Sequence, residues 1–212
     1  LGYGGDHHAH WVWHTKSHNC VTLSDAPQIM RSPASTGKLQ GAYEDKHLAY
    51  VCGNADASYI DRAQNCRRHV FFLKRHSCWV LIDQFVAQPG IVSALQWNIH
   101  SWEQFTVDEG QRSFSLKRGD SHLHGHFVYH DNAFFSLSQG WDPEPLSGPA
   151  EDPWKMQYHL RFTPTGLVEQ RNLGVVLCPQ HTHLPAAAVH TERGDGGDLA
   201  RIGDDAILVG QG

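Results

Sequence analysis

Imidazoles crowd the start of this chain. His7, His8, His10, His14 and His18 are interleaved with Trp11 and Trp13, and Asp6 stands just before them. Neutral imidazole is the usual protein ligand for zinc, and a metal site needs three or four such groups converging. If the segment is extended, His8 and His10 share one face, and His14 and His18 keep that parity. The same residues fit a second chemistry, in which Trp11, Trp13, His8 and His10 line a sugar-binding cleft. Solvated loop histidines are the plainest alternative.

His122, His124 and His126 also share a strand face, with His130 beyond them. The nearest carboxylate is Asp120, so this stripe reads as an exposed face rather than a metal centre. His181 and His183 form a weaker pair. A cupin-type metal barrel also presents His-x-His on a strand, but a carboxylate follows within a few residues. Here His8-x-His10 runs into Trp11 and Trp13, with no acid before Asp25. A cupin-like metalloenzyme stays open as a rival.

These groups sit in a chain with as many histidines (17) as lysines and arginines together, so its charge depends strongly on pH between about 5 and 8. A net charge of −5 with histidine neutral argues against nucleic acid as a partner. Hydrophobic residues at 40% and charged residues at 18% of 212 indicate a globular chain rather than a disordered one. The longest strongly apolar run, Cys78–Ile82, is too short to span a bilayer. Five cysteines without a CxxC pair exclude a zinc ribbon, and the odd number argues against a complete disulfide framework. The chain opens at Leu1 without methionine or a signal-peptide pattern, which reads as a piece of a longer protein.

The elements that must position these groups show period-two patterning. Val21 and Leu23 alternate with Thr22 and Ser24, and Leu95, Trp97 and Ile99 alternate with Gln96, Asn98 and His100. Asp108-Glu109-Gly110 predicts a hairpin turn between Phe105/Val107 and Phe114/Leu116. His69–Leu73 and Cys78–Asp83 read as central strands, and Ala206–Val209 as a last strand after a glycine-rich turn at Glu192–Gly197. A short helix is expected near Ala57–Asn65. Ala26–Gly41 and Ser138–Pro153 are long proline-containing loops. Short strands between turn signals predict an all-β fold, an antiparallel β-sandwich, as one domain over 1–212.

The stretch from Thr15 through His18-Asn19-Cys20-Val21-Thr22-Leu23 to Asp25 and Gln28 resembles the His-Asn motif segment of the heparinase II/III-like polysaccharide lyases. Further pieces follow in that family's order: Ala49-Tyr50-Val51, Asp56–Tyr59, Arg67–Leu73, Trp79–Asp83 and Leu95–His100. The resemblance covers about residues 1–101. It implies an N-terminal helical toroid followed by sandwich layers, with this chain beginning partway through the sandwich. It also implies cleavage of uronic-acid polysaccharides, of alginate or glycosaminoglycan type, by β-elimination. A base removes the C5 proton, positioned donors neutralise the carboxylate, and an acid protonates the leaving oxygen.

By position, the resemblance implies that His18 is a ligand of a structural zinc whose other ligands lie upstream. Asp6, His7, His8 and His10 are the nearest groups in the chain that could replace them. His18 could equally line a cleft or be a satisfied core histidine. Tyr3 is the candidate for the family's catalytic tyrosine. Cys20 departs from the pattern, which usually has Thr there. The implied partners are an anionic polysaccharide or oligosaccharide and the upstream toroid, and the implied setting is bacterial, periplasmic or secreted. Asp83, Trp97 and His100 read as scaffold, and Arg67, Arg68, Lys74 and Arg75 as exposed turn charges. A non-catalytic carbohydrate-binding or scaffold sandwich, with Trp11, Trp13, Trp141 and Trp154 as platforms, is the other rival.

Overall fold

The computed structural model describes residues 5–145, 157–181 and 187–210. Its strands are β1 (Val21–Leu23), β2 (Lys38–Glu44), β3 (Leu48–Asn54), β4 (Ala63–Leu73), β5 (Cys78–Ala87), β6 (Leu95–Ser101), β7 (Thr106–Asp108) and β8 (Ser113–Arg118). They continue as β9 (Ser121–Val128), β10 (Ala133–Gln139), β11 (Tyr158–Pro164), β12 (Gln170–His181), β13 (Val189–Gly194), β14 (Gly197–Ile202) and β15 (Asp205–Gly210). An eight-stranded sheet runs β2-β3-β4-β5-β12-β9-β8-β7, and a four-stranded sheet runs β1-β6-β11-β10. A third, of three strands, is β13-β14-β15. Every strand pairing is antiparallel.

Alternation explains how the layers stack. Trp97, Leu160 and Phe162 of the small sheet meet Phe85, Phe127, Leu173 and Val175 of the large one. Phe127 stacks on Phe162 at 3.8 Å, and Trp97 meets Phe127 edge-on at 5.3 Å. On the other side of the large sheet, Cys78, Val80, Val128, Val176 and Cys178 pack with Ala200, Ile202 and Val209 of the three-stranded sheet. Cys78 and Cys178, on the neighbouring strands β5 and β12, form a disulfide. The odd cysteine count concealed this bond, and Cys20, Cys52 and Cys66 remain thiols.

The expected strands are present, and several are longer than the pattern suggested. The 105–116 hairpin is β7 and β8, with Val107 opposite Phe114. The helix expected near Ala57–Asn65 is not formed. Only a 3-10 turn at Asp56–Ser58 appears, and β4 begins at Ala63. Asp56 explains this, because its carboxylate accepts the Cys66 amide at 2.6 Å and draws the chain into the sheet. The glycine-rich 192–197 segment is divided between β13 and β14, which leaves only the tight turn between them. The first long loop ends early, at Lys38, where β2 begins. Among the described residues, no helix is long and apolar enough to cross a membrane.

Candidate functional site

The histidine-rich segment is not extended. His8–Val12 forms a π-helical turn closed by the Trp13 amide on the His8 carbonyl at 3.2 Å, and Thr15–Ser17 a 3-10 turn. The strand parity of His8 and His10 is therefore lost, and with it the cupin-like His-x-His on a strand. His8 packs edge-on against Trp13 at 4.3 Å, while His10 is exposed. His14 Nδ1 accepts the Lys16 amide at 3.0 Å and caps the 3-10 turn. Burial and the neighbouring Lys16 hold the His14 imidazole below its ordinary pKa.

The segment lies across the outer face of the small sheet, which explains why β6 is buried on both sides from Leu95 to Ile99. Trp11 is only 6% exposed and packs edge-on against His100 at 5.9 Å and His159 at 6.4 Å. A sugar ring stacking on Trp11 would need a surface that the fold covers. Beneath it, His100 and His159 stack at 4.3 Å. His100 Nε2 donates to the Lys16 carbonyl at 2.8 Å, and Asn98 Oδ1 accepts from His159 Nε2 at 2.9 Å and Arg161 Nε at 3.0 Å. Burial depresses both imidazoles, His100 to about 4 and His159 to about 3, so both are neutral at physiological pH. Each ring is tied through Nε2, His100 to the Lys16 carbonyl and His159 to Asn98, so the pair links the histidine segment to the sheet face.

The open part of the region is a groove of about 510 Å³ lined by Val12, Trp13, His18 and the 28–31 stretch. The Thr15 hydroxyl accepts the Gln28 amide at 2.7 Å and ties the two walls together. The Arg31 guanidinium lies 3.6 Å over the Trp13 ring, a cation–π contact. His18 is exposed, and its Nε2 lies 3.0 Å from the Val12 carbonyl. A carbonyl only accepts, so Nε2 carries the proton and the neutral ring keeps its lone pair on Nδ1. The groove thus combines an indole, a permanent cation and an imidazole, which suits the carboxylates or sulfates of an acidic sugar.

The other side of the motif is bound to both sheets. Asn19 accepts the His100 amide on its side chain at 2.9 Å, and its carbonyl accepts Arg68 Nη1 at 2.7 Å. Arg68 is not an exposed turn charge, because it pairs with Asp83, which is 3% exposed. A cavity of about 390 Å³ adjoins this pair, with Cys20, Tyr59 and Cys66 in its wall. Burial raises the pKa of both thiols, so neither supplies a thiolate nucleophile at neutral pH.

Among the described residues, no group of three or more His, Cys, Asp or Glu side chains converges as a metal site. His18 is thus joined by no such group among the described residues. Tyr3 and Trp154 lie outside the described residues. Trp141 meets His7 edge-on at 6.3 Å, and His7 Nδ1 lies 2.6 Å from the Pro143 carbonyl, so the 139–145 stretch packs on the histidine segment. The stripe at His122, His124 and His126 is half-buried rather than open. Burial lowers the His126 pKa, with His124 and His190 adding to the effect.

Sequence reasoning passed over Arg31, His159 and Arg161. Arg31 and Arg161 stand among turn residues or strand charges with no motif around them. His159 could have been found from its parity, because it pairs with His100 across β6 and β11.

The sequence matches the family described as heparinase II/III-like, C-terminal, over residues 1–172. A comparison with curated proteins finds no match. Among solved structures, the fold is similar to a mutant of heparan sulfate lyase HepC from Pedobacter heparinus. The TM-score is 0.71 at 14% identity, over 99% of this chain and 33% of that one. It is also similar to a crystal structure of heparinase III, at a TM-score of 0.70 and 11% identity, over 100% of this chain and 32% of that one. At such identities the likeness speaks for the fold, and the chain spans about a third of the length of these structures. The family match covers most of the sandwich and the whole histidine-rich segment, and the chain belongs to the heparinase II/III-like C-terminal family.

Proposed function

We propose that this chain is the sandwich portion of a polysaccharide lyase that cleaves uronic-acid polymers, of glycosaminoglycan or alginate type, by β-elimination. Family membership supports the reaction class. The groove supports the substrate class, and the observation that carries it is Arg31 held 3.6 Å over Trp13 beside the exposed His18. In this reading the groove forms one wall of a cleft whose other wall is an upstream helical domain. Arg31 would hold the charged substituent and Trp13 the sugar's apolar face, while His18 Nδ1 accepts a sugar hydroxyl. Tyr3 is the proposed proton-transfer group.

The disulfide between Cys78 and Cys178 supports a periplasmic or secreted setting, since such bonds persist in oxidising compartments. A zinc held by His18 also remains a proposal, and its other ligands would have to come from outside the described residues. Metal analysis decides it: zinc that survives His8→Ala with His10→Ala but is lost with His18→Ala supports it, and no bound zinc overturns it.

Titration of the chain with acidic and neutral oligosaccharides of equal length tests the groove. Acidic chains should bind and neutral ones should not, and Arg31→Gln should weaken binding by roughly tenfold, the effect of losing one charge-assisted contact. Equal affinity for both classes, or no effect of Arg31→Gln, would overturn the assignment.

A further inference from the structure

The outer face of the large sheet is only partly covered. Strand alternation puts Leu73, Phe71, His69 and Arg67 of β4 on this side, opposite Cys78, Val80, Ile82 and Gln84 of β5. The three-stranded sheet covers the end at Leu73, Val80 and Val176. Toward β2 the face stays open, with Tyr43 at 55% exposure and Tyr50, His69 and Arg67 half-buried.

These residues form an ordered array. Tyr43, Tyr50 and Phe71 stand in register across β2, β3 and β4, and the Tyr50 ring lies 4.8 Å from Phe71. The Tyr50 ring also stacks on His69 at 6.1 Å, with its hydroxyl 2.9 Å from His69 Nδ1. When the phenol donates to Nδ1, His69 is left with Nε2–H as its remaining donor. Arg67, two residues along the same face, takes part in none of the ion pairs among the described residues, and its buried Nε has no hydrogen-bond partner. Its neighbour Arg68 faces the opposite side and is fully engaged by Asp83 and Asn19. On a protein of net charge −5, an unneutralised guanidinium two residues from an imidazole donor, on a strand face that continues past that imidazole to two tyrosines, is an anion-binding arrangement extended by an aromatic floor.

We propose that Tyr43, Tyr50, His69 and Arg67 form a second platform, separate from the His18 groove, that binds a carboxylated or sulfated oligosaccharide. It rests on the acidic-polysaccharide reading above and extends it. Arg67 takes the carboxylate or sulfate, His69 donates to a hydroxyl, and Tyr43 and Tyr50 carry the sugar faces. A platform on the far side of the sheet gives the polymer a hold that does not depend on the cleft, which raises its effective concentration there.

Isotope-labelled chain titrated with an alginate tetrasaccharide, a heparin-derived tetrasaccharide and a neutral tetrasaccharide tests the proposal by amide-shift mapping. Either acidic sugar should perturb β3 and β4 around Tyr50 and His69, and the neutral one should not. A response to alginate assigns the carboxylate, and a response to heparin alone assigns the sulfate. Arg67→Gln should weaken this response by roughly tenfold and leave the shifts around Trp13 and Arg31 in place. Arg31→Gln should do the converse, so failure of the groove and failure of the platform are seen separately. Absence of shifts at Tyr50 and His69, or shifts that survive Arg67→Gln and His69→Gln in variants with native spectra, would overturn the proposal.

Discussion

Arg68 meets Asp83 through two parallel hydrogen bonds, Nε to Oδ1 at 2.7 Å and Nη2 to Oδ2 at 2.9 Å. The two residues face each other across β4 and β5, and the remaining arm of Arg68 holds the Asn19 carbonyl. One ion pair in the large sheet thus anchors the residue next to His18.

Removing one partner leaves a buried charge without compensation. Asp83→Ala should destabilise the chain by about 3 kcal/mol, whereas Arg68→Met with Asp83→Leu should recover much of that loss. Urea unfolding of the wild type, both single variants and the double variant provides the check. The geometry at His18 should suffer in every variant that frees Asn19, even where stability returns.

Acid should weaken the fold through the stacked imidazoles. His159 and His100 have folded pKa values of about 3 and about 4, below the ordinary 6.5. The unfolded chain therefore binds protons that the folded chain refuses. Stability is unaffected by these groups above pH 6.5 and falls as pH drops from 6.5 toward 4, by up to about 1.4 kcal/mol per pH unit for each imidazole. His159→Gln should flatten that slope relative to wild type, measured as unfolding midpoints between pH 7 and pH 5.

Reduction should also cost stability. Cys78 and Cys178 are 100 residues apart in sequence, so their bond removes much chain freedom from the unfolded state. Cys78→Ala with Cys178→Ala should lower stability by about 2–5 kcal/mol, and a reductant should match that effect in the wild type only.

Much of the fold was legible because alternation reports which face is buried. Leu95, Trp97 and Ile99 alternate cleanly, as do Val21 and Leu23, and both sets lie in the inter-sheet core. The helix expected at Ala57–Asn65 failed because a local hydrogen bond from Asp56 outweighs a weak periodicity. The site was legible only in part. The His-Asn motif located His18, but nothing in the spacing of His8, His10 and Trp11 signals a helical turn that buries one ring and exposes another. Arg31 and Trp13 meet through the path of a loop, which no period describes. The Cys78–Cys178 bond follows from strand register, which a count of cysteines does not contain.

Gly125 offers a sharp test of the core. A Cβ added there would run into the Phe114 ring, which itself packs against Phe105, Phe127 and Trp97. Gly125→Ala should cost about 1–3 kcal/mol by overpacking, and Phe114→Leu in the same chain should return part of it. Thermal unfolding of the three variants reads this directly.

The most direct measurement is ultraviolet absorbance of the unsaturated product when protein meets alginate, heparin or heparan sulfate. The account predicts product from a longer protein in which the proposed helical domain precedes this chain, roughly tenfold less of it with Arg31→Gln at limiting substrate, and none from the 212-residue chain alone. Product formed by the 212-residue chain alone would contradict it, as would the longer protein's failure to act on any of these polymers.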